Sequence, residues 1–218
     1  MRTIHIAIVA LFLLMGMGAA HAAERCNLGR EVPVQIQVPG IAVIVFTDSQ
    51  CFGIYENGRI ANRFGYHLFG YASTGGPGNE TPLTDPQKGP QRVNRASEFH
   101  ESTEFPIVVK GKSVPAPMPY ALFFDLNGRA IHAANVLQPL ASHGCIRLPK
   151  AAAYALFHGF NHAEIQIIVT HDPDSFSILW ERGHFADRAF SVKEEMRQAN
   201  TGRSGEIDSD MFWHEEPE

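Results

Sequence analysis

The stretch ASHGCIRLPKAAAYALF, residues 141–157, places a cysteine two residues after a histidine and just before a segment with helical spacing. In an extended chain, side chains at positions i and i+2 share a face, so His143, Cys145 and Arg147 are predicted to point the same way. Leu148-Pro149 then opens a helix, because proline fits the first turn of a helix. The stretch therefore predicts a strand that carries a cysteine and leads into a helix.

Short strand-like segments separated by turns make up most of the remaining chain. The alternating segment 32–38 and the apolar segment 41–47 predict strands, and Asn57-Gly58 predicts a hairpin. Residues 92–106 carry little pattern, whereas 163–170 again predicts a strand. The sequence therefore predicts a mainly β domain with a few helices.

The N-terminus has the form of an export signal. Arg2 precedes an apolar stretch from Ile6 to about Met17, and Ala20-His21-Ala22 has the A-x-A form of a signal-peptidase site. Roughly a dozen apolar residues are too few to span a bilayer, which needs about 20. We therefore predict a signal peptide at residues 1–22, a periplasmic or otherwise exported protein, and no membrane attachment after cleavage. An uncleaved anchor is the alternative.

The predicted mature chain has 196 residues, the 218 of the sequence less the 22 of the signal. This length suits one domain with a substantial core. Loss of Arg2 changes the formal net charge from −5 to −6, and this mild acidity argues against nucleic-acid binding. We expect the domain at residues 30–172, followed by a C-terminal extension, residues 173–218, with a helix and a disordered tail.

Three cysteines remain after removal of the signal: Cys26, Cys51 and Cys145. Export implies an oxidising compartment, where an odd number of thiols needs an explanation. The simplest partition pairs Cys26 with Cys51 and leaves Cys145 free, and two buried, unpaired thiols are the alternative.

The local residues leave several interpretations of Cys145 open. A free cysteine titrates near pH 8.5, but a neighbouring imidazole, from His143 or His132, can take its proton. Gly144 would let a substrate carbonyl approach the backbone, where the N–H groups of Gly144 and Cys145 could face an oxyanion. Arg147 could bind a carboxylate. A buried structural thiol and a zinc site of His132, His143 and Cys145 are the alternatives.

The residues IH at 131–132 and SHGCIRL at 142–148 together resemble the signature of the L,D-transpeptidases, the YkuD-domain family. Weaker pieces occur in the family's order. QCFGIYENGRI resembles its opening strands, ASTGG…ETP resembles its S-T-G…T-P loop, and MPYALFF resembles the strand before its histidine. The resemblance covers roughly residues 41–170.

The resemblance implies a β-sandwich-like domain with a helix behind the cysteine strand. It also implies acyl transfer on peptidoglycan stem peptides, with no metal or cofactor. In that reaction a cysteine attacks a carbonyl on an L-centre, D-alanine leaves, and an amine of a neighbouring stem attacks the thioester. Hydrolysis of the same thioester, as in an L,D-carboxypeptidase, and a non-catalytic peptidoglycan-binding relative are the alternative functions.

The resemblance also implies roles for individual residues. It makes Cys145 the nucleophile, His132 the general base oriented by a backbone carbonyl, and the backbone around Gly144 the oxyanion hole. His143 and Ser142 would shape the loop. A thiolate partner would raise the pKa of the base above its usual value.

Two further roles and three departures complete the comparison with the family. Arg147 would steady the loop or bind a substrate carboxylate, and Tyr120 would line the donor groove, with a core aromatic as the alternative. Ala133 stands where the family often has Gly or Ser, and Thr84 replaces the glycine of T-P-x-G. The loop of nine residues between His132 and Ser142 is shorter than in many members, which implies a more open donor site.

Overall fold

The computed structural model describes residues 26–182, so the predicted signal peptide at 1–22 and residues 183–218 lie outside the described residues. Within that range the strands are β1 (Ile41–Phe46), β2 (Cys51–Glu56), β3 (Arg59–Ile60), β4 (Asn62–Arg63), β5 (Tyr66–His67), β6 (Phe69–Tyr71), β7 (Gln91–Arg92), β8 (Arg95–Val109), β9 (Lys112–Phe123), β10 (Ala130–Ala133), β11 (Ile146–Leu148) and β12 (Ile165–Thr170). The helices are α1 (Lys150–Gly159), a single 3-10 turn (His162–Glu164) and α2 (Pro173–Arg182). None of the helices described here is long and apolar enough to cross a bilayer.

The first sheet has the strand order β3-β2-β1-β12-β7, and β6 also pairs with β2. At its centre, β1 runs parallel to β12 and antiparallel to β2. Every residue of β1 is buried, which explains its continuous apolar sequence. The turn from β2 to β3 has positive φ at Asn57 (49°) and Gly58 (82°), the backbone that this dipeptide favours, so the predicted hairpin is confirmed.

The second sheet has the order β11-β10-β9-β8, and its strand β11 directly follows Cys145. β10 and β11 run parallel, whereas β9 is antiparallel to both β10 and β8. The strands β8 and β9 form a long hairpin whose far end is exposed; we call residues 99–119 the arm.

The main core lies between the two sheets and includes the buried face of α1. Its members include Val43 from the first sheet, Ile131 and Ile146 from the second, and Ala153 and Leu156 from α1. The short alanine side chains let α1 approach the strands that it covers, and burial of this apolar surface is the main force that holds the layers together. The structure is therefore the predicted β-sandwich-like domain with a helix behind the cysteine strand.

The opposite face of the first sheet has its own cover. Val32, Ile36 and Val38 pack against it, together with Phe176 of α2. Cys26 and Cys51 form a disulfide with a Cα–Cα distance of 5.6 Å, which ties the start of the covering segment to β2. The packed unit therefore extends beyond residues 30–172 on both sides.

Two segments differ from the sequence-based expectation. Residues 32–38 form no named strand and make only isolated bridges, such as the one between Gln35 and Arg59, because Pro33 interrupts the ladder. Residues 92–106 carry little pattern, yet Arg92 ends β7 and the residues from Arg95 onward form the long strand β8. β8 is mostly polar as far as Glu104 and largely exposed along its whole length, so neither face is marked by apolar alternation.

Candidate active site

Cys145 lies immediately before β11, on the outward face of the second sheet. The parallel register pairs Ile131 with Ile146 and His132 with Arg147. Because alternate residues of a strand share a face, Cys145 and Arg147 point to the same side of the sheet as His132. Three of the predicted site residues are thus brought together by two adjacent strands.

A cleft of about 730 Å³ opens over this face, a size that suits a peptide-like ligand. Cys145, His132 and Arg147 line it from the sheet. The arm contributes another wall, and the turn at 127–129 contributes the opposite rim. Cys145 is the one free cysteine among the described residues.

His132 is buried, with 5% of its surface exposed. Its Nδ1 lies 3.1 Å from the carbonyl oxygen of Ala133. A carbonyl can only accept a hydrogen bond, so Nδ1 carries the proton and Nε2 keeps its lone pair. Burial lowers the pKa of His132 to about 4, and the charge of Arg147 acts in the same direction. Beside the neutral thiol, burial dominates and the imidazole is neutral at pH 7. The raised pKa expected of a base that is paired with a thiolate stays a prediction.

Burial likewise raises the pKa of the Cys145 thiol. The backbone N–H of Ala130, which donates to Sγ at 3.5 Å, and the charge of Arg147 act against this rise. A low-dielectric environment disfavours charge on both partners, so Cys145 and His132 rest as a neutral thiol and a neutral imidazole.

The turn before the thiol is held by its own hydrogen bonds. Gly144 has a φ of +98°, which favours glycine. Its N–H donates to Ser142 Oγ at 3.2 Å, and the Ser142 hydroxyl donates to the carbonyl oxygen of Cys145. Ser142 therefore shapes the loop, and in this conformation the Gly144 N–H is occupied rather than open to an oxyanion, which differs from the prediction.

Residues from the first half of the chain support this turn. Thr81 Oγ1 accepts the N–H of Gly75 at 2.9 Å and donates to the carbonyl of Gly144 at 3.1 Å. The side chain of Gln50 accepts the N–H of Thr74 at 2.9 Å and donates to its hydroxyl at 2.7 Å. Gln50 and Thr81 are not among the predicted site residues, and their only signal in the sequence is their place in the motif pieces QCFGIYENGRI and ETP.

His143 also lines the cleft, and its ring is stacked on Phe105 of the arm. The ring centroids are 4.1 Å apart and the planes differ by 10°. The pairing of β8 and β9 shifts register between Ser102 and Ile107, and Phe105 falls in this irregular segment. Such irregularities can re-aim a side chain, and here Phe105 covers the imidazole.

The structure places only one of the two predicted substrate-binding residues, Arg147 and Tyr120, at the cleft. Arg147 lines the cleft, and its Nε is buried with no hydrogen-bond partner among the described residues. Tyr120 packs edge-on against Tyr154 at 5.4 Å and against His158 at 5.7 Å, both on α1. Tyr120 is not among the residues that line the cleft, so its position supports the alternative, an aromatic packed against the helix, rather than a donor groove.

The zinc alternative had combined His132, His143 and Cys145. Across residues 26–182, no group of three or more His, Cys, Asp or Glu side chains is gathered to hold a metal ion.

The fold and the site define a two-sheet, mainly β domain with a free thiol in a cleft. The family model of the L,D-transpeptidase catalytic domain, YkuD, matches residues 40–162. The chain therefore belongs to the L,D-transpeptidase catalytic-domain family.

Solved structures of L,D-transpeptidases are similar to this chain at low sequence identity. The L,D-transpeptidase of Stackebrandtia nassauensis is 20% identical, with 71% of this chain and 65% of that chain covered and a TM-score of 0.51. The L,D-transpeptidase (residues 123–326) of Xylanimonas cellulosilytica is 21% identical over 63% of this chain and 64% of that chain, with a TM-score of 0.46. L,D-transpeptidase 3 of Mycobacterium tuberculosis, solved with a faropenem-derived adduct, is 20% identical over 61% and 60% of the two chains, with a TM-score of 0.46.

The chain spans about 59% to 65% of the length of the first solved structures that it matches. A search of curated proteins found no match.

Proposed function

We propose that the protein is an exported L,D-transpeptidase that transfers peptidoglycan stem peptides through a thioester on Cys145, and so cross-links or remodels the cell wall. The observation that carries this proposal is the free thiol on the same sheet face as a buried, neutral imidazole in a peptide-sized cleft. The family to which the chain belongs supports it.

The first half of the reaction forms the thioester. His132 Nε2 takes the proton of the Cys145 thiol while Sγ attacks the carbonyl carbon of an L-centre of the donor stem. The new C–S bond pushes the carbonyl electrons onto oxygen. Backbone N–H groups of the Gly144 turn stabilise this oxyanion, and the Gly144 N–H does so by exchanging Ser142 Oγ for the substrate oxygen.

The tetrahedral intermediate then collapses. Its C–N bond to D-alanine breaks, and the departing amine takes the proton from His132. In the second half an acceptor amine attacks the thioester, gives a proton to Nε2, and the C–S bond breaks. The thiolate recovers that proton, which returns the site to its neutral state.

Arg147 is proposed to bind a carboxylate of the stem peptide. Its Nε is a buried donor with no acceptor among the described residues. A ligand carboxylate that accepts a hydrogen bond from this Nε would satisfy the donor and so bind favourably. Burial lowers the pKa of Arg147, but its usual value is so high that the side chain remains a cation.

Hydrolysis is the second candidate. The loop of nine residues after His132 presents Leu137 and Leu140 to solvent, with 85% and 47% of their surfaces exposed. Of this loop, residues 133–135 line the cleft and the later residues do not. A loop that covers so little of the cleft leaves water access to a thioester, and water in place of the acceptor amine would make the protein an L,D-carboxypeptidase.

The test is incubation of the mature protein with defined tetrapeptide muropeptides, followed by sequencing of the products. Transpeptidation yields a cross-linked dimer that has lost one D-alanine, whereas hydrolysis yields a tripeptide without cross-links. Cys145→Ser is the matched control. Unchanged muropeptides with the wild-type protein would contradict both candidates.

A further inference from the structure

Arg129 lies in the turn between β9 and β10 and carries none of the roles discussed above. Its Nη1 is 2.8 Å from Asp125 Oδ2. The other oxygen of Asp125 accepts the backbone N–H groups of Asn127 and Arg129, both at 2.9 Å. One carboxylate therefore fixes both the turn and the direction of the guanidinium.

The Arg129 side chain packs directly on the turn that carries the thiol. A Cβ added to Gly144 would lie 2.6 Å from Arg129 Nε and 3.1 Å from Cδ. The φ of +98° favours glycine at this position, and a side chain there would displace Arg129 from its contact with the turn. Arg129 and Cys145 both line the cleft.

The charges around the thiol come from several elements. Arg147 and His132 are on its own sheet face, and Arg129 and Asp125 flank it from the turn. The remaining titratable groups of the cleft are His143 and, from β8, Arg95, His100, Glu101 and Glu104. The negative charge of Asp125 raises the pKa of the Cys145 thiol, and the positive charge of Arg129 lowers it. The ion pair thus sets two opposing charges beside the nucleophile.

We propose that Arg129 is a positioning residue: it buttresses the Gly144 turn and partly offsets the charge of the Asp125 carboxylate, which opposes thiolate formation at Cys145. The inference rests on the proposed function for the role of Cys145 as nucleophile. It can be tested without any transpeptidase assay, because it concerns the thiol itself.

The experiment measures the rate of Cys145 alkylation by iodoacetamide as a function of pH. The other two cysteines form the disulfide, so the unreduced protein reports Cys145 alone. Arg129→Met keeps much of the side-chain volume and removes the charge. We expect its alkylation midpoint to rise by roughly half a pH unit, which makes alkylation at pH 7 about threefold slower. Arg129→Lys should stay near the wild type.

Arg63 supplies a matched control. Its side chain is 30% exposed and ion-paired to Glu56, whereas that of Arg129 is 29% exposed and ion-paired to Asp125. Arg63→Met should leave the midpoint unchanged. In the double variant Arg129→Met/Asp125→Asn, loss of both charges should return the midpoint toward the wild type.

Thermal unfolding shows whether each variant folds. If Arg129→Met does not fold, Arg129→Gln replaces it, because glutamine keeps a hydrogen-bond donor for Asp125. An unchanged midpoint in the uncharged Arg129 variant would overturn the proposal. So would a double variant as shifted as the single one, or an equal shift in Arg63→Met. If the shift occurs but the wild type leaves muropeptides unchanged, this proposal stands and the proposed function fails.

Discussion

His132 and Arg147 lie opposite each other in the parallel pairing of β10 and β11, so the imidazole and the guanidinium share one face of the sheet. Cys145 precedes Arg147 on that face by one side-chain repeat. The thiol therefore has a neutral, buried imidazole on the adjacent strand and a cation on its own strand. His143, two residues away on the same segment, is instead stacked on Phe105.

This arrangement predicts different pH profiles for the two histidines. His132→Ala should lose most of the rate of acylation by a carbapenem, and high pH should partly restore it, because hydroxide can ionise the thiol. His143→Ala should lose activity through disorder of the loop, with little rescue. The measurement is the acylation rate against pH for both variants. Rescue of His143→Ala but not of His132→Ala would show that His143, and not His132, is the base.

The buried imidazole also predicts how stability depends on pH. His132 has a pKa of about 4 in the folded protein, against about 6.5 in the unfolded chain. The unfolded chain binds the extra proton between these values, so stability is full above about pH 6.5 and falls as the pH approaches 4. The contribution is on the order of 3 kcal/mol.

Urea unfolding of the wild type and of His132→Gln at pH 7 and pH 4.5 isolates this contribution. The wild type should lose more unfolding free energy than the variant over this interval, while other titrating groups affect both proteins equally. Parallel losses in the two proteins would show that the imidazole is not held neutral by burial.

The stack on His143 predicts a role for the arm. Phe105→Ala should slow acylation roughly three- to tenfold, the size expected from loss of an aromatic contact. Phe105→Tyr should retain the stack and the rate. Phe99, on the same strand and 81% exposed, is the matched control, because it is not among the residues that line the cleft. An equal effect of Phe99→Ala would point to general damage to the arm.

The disulfide predicts a stability difference. Cys26 and Cys51 are 25 residues apart, and closing a loop of this length contributes roughly 3 kcal/mol. Cys26→Ala/Cys51→Ala should lower the free energy of unfolding by about that amount without removing the Cys145 thiol. Non-reducing peptide mapping should recover the linked pair. Alkylation of both cysteines in the folded, unreduced protein would contradict the pairing.

Local chemistry explains which parts of the fold the sequence could predict. The Asn57-Gly58 turn, the buried strand β1 and the helix after Leu148-Pro149 each depend on residues adjacent in the chain. The shared face of Cys145 and Arg147 follows from the two-residue repeat of an extended segment.

The remaining features depend on contacts between distant segments. The largely exposed strand β8 is held in place by its pairing with β9. Backbone pairing of this kind leaves no periodic pattern in the sequence of the strand. The Arg129 contact with Gly144 and the stack of Phe105 on His143 join residues from separate strands and loops. The lowered pKa of His132 comes from burial, which no local pattern around that histidine reveals.

The central claim is that Cys145 carries the stem peptide as a thioester. Intact-protein mass spectrometry of the mature protein mixed with a tetrapeptide muropeptide, followed by peptide mapping, tests it most directly. We predict an adduct equal to the donor less D-alanine on the peptide that contains Cys145. An added amine acceptor should remove it, and Cys145→Ser should not form it. Cross-linking that continues in Cys145→Ser, or an adduct that maps to another residue, would contradict the account.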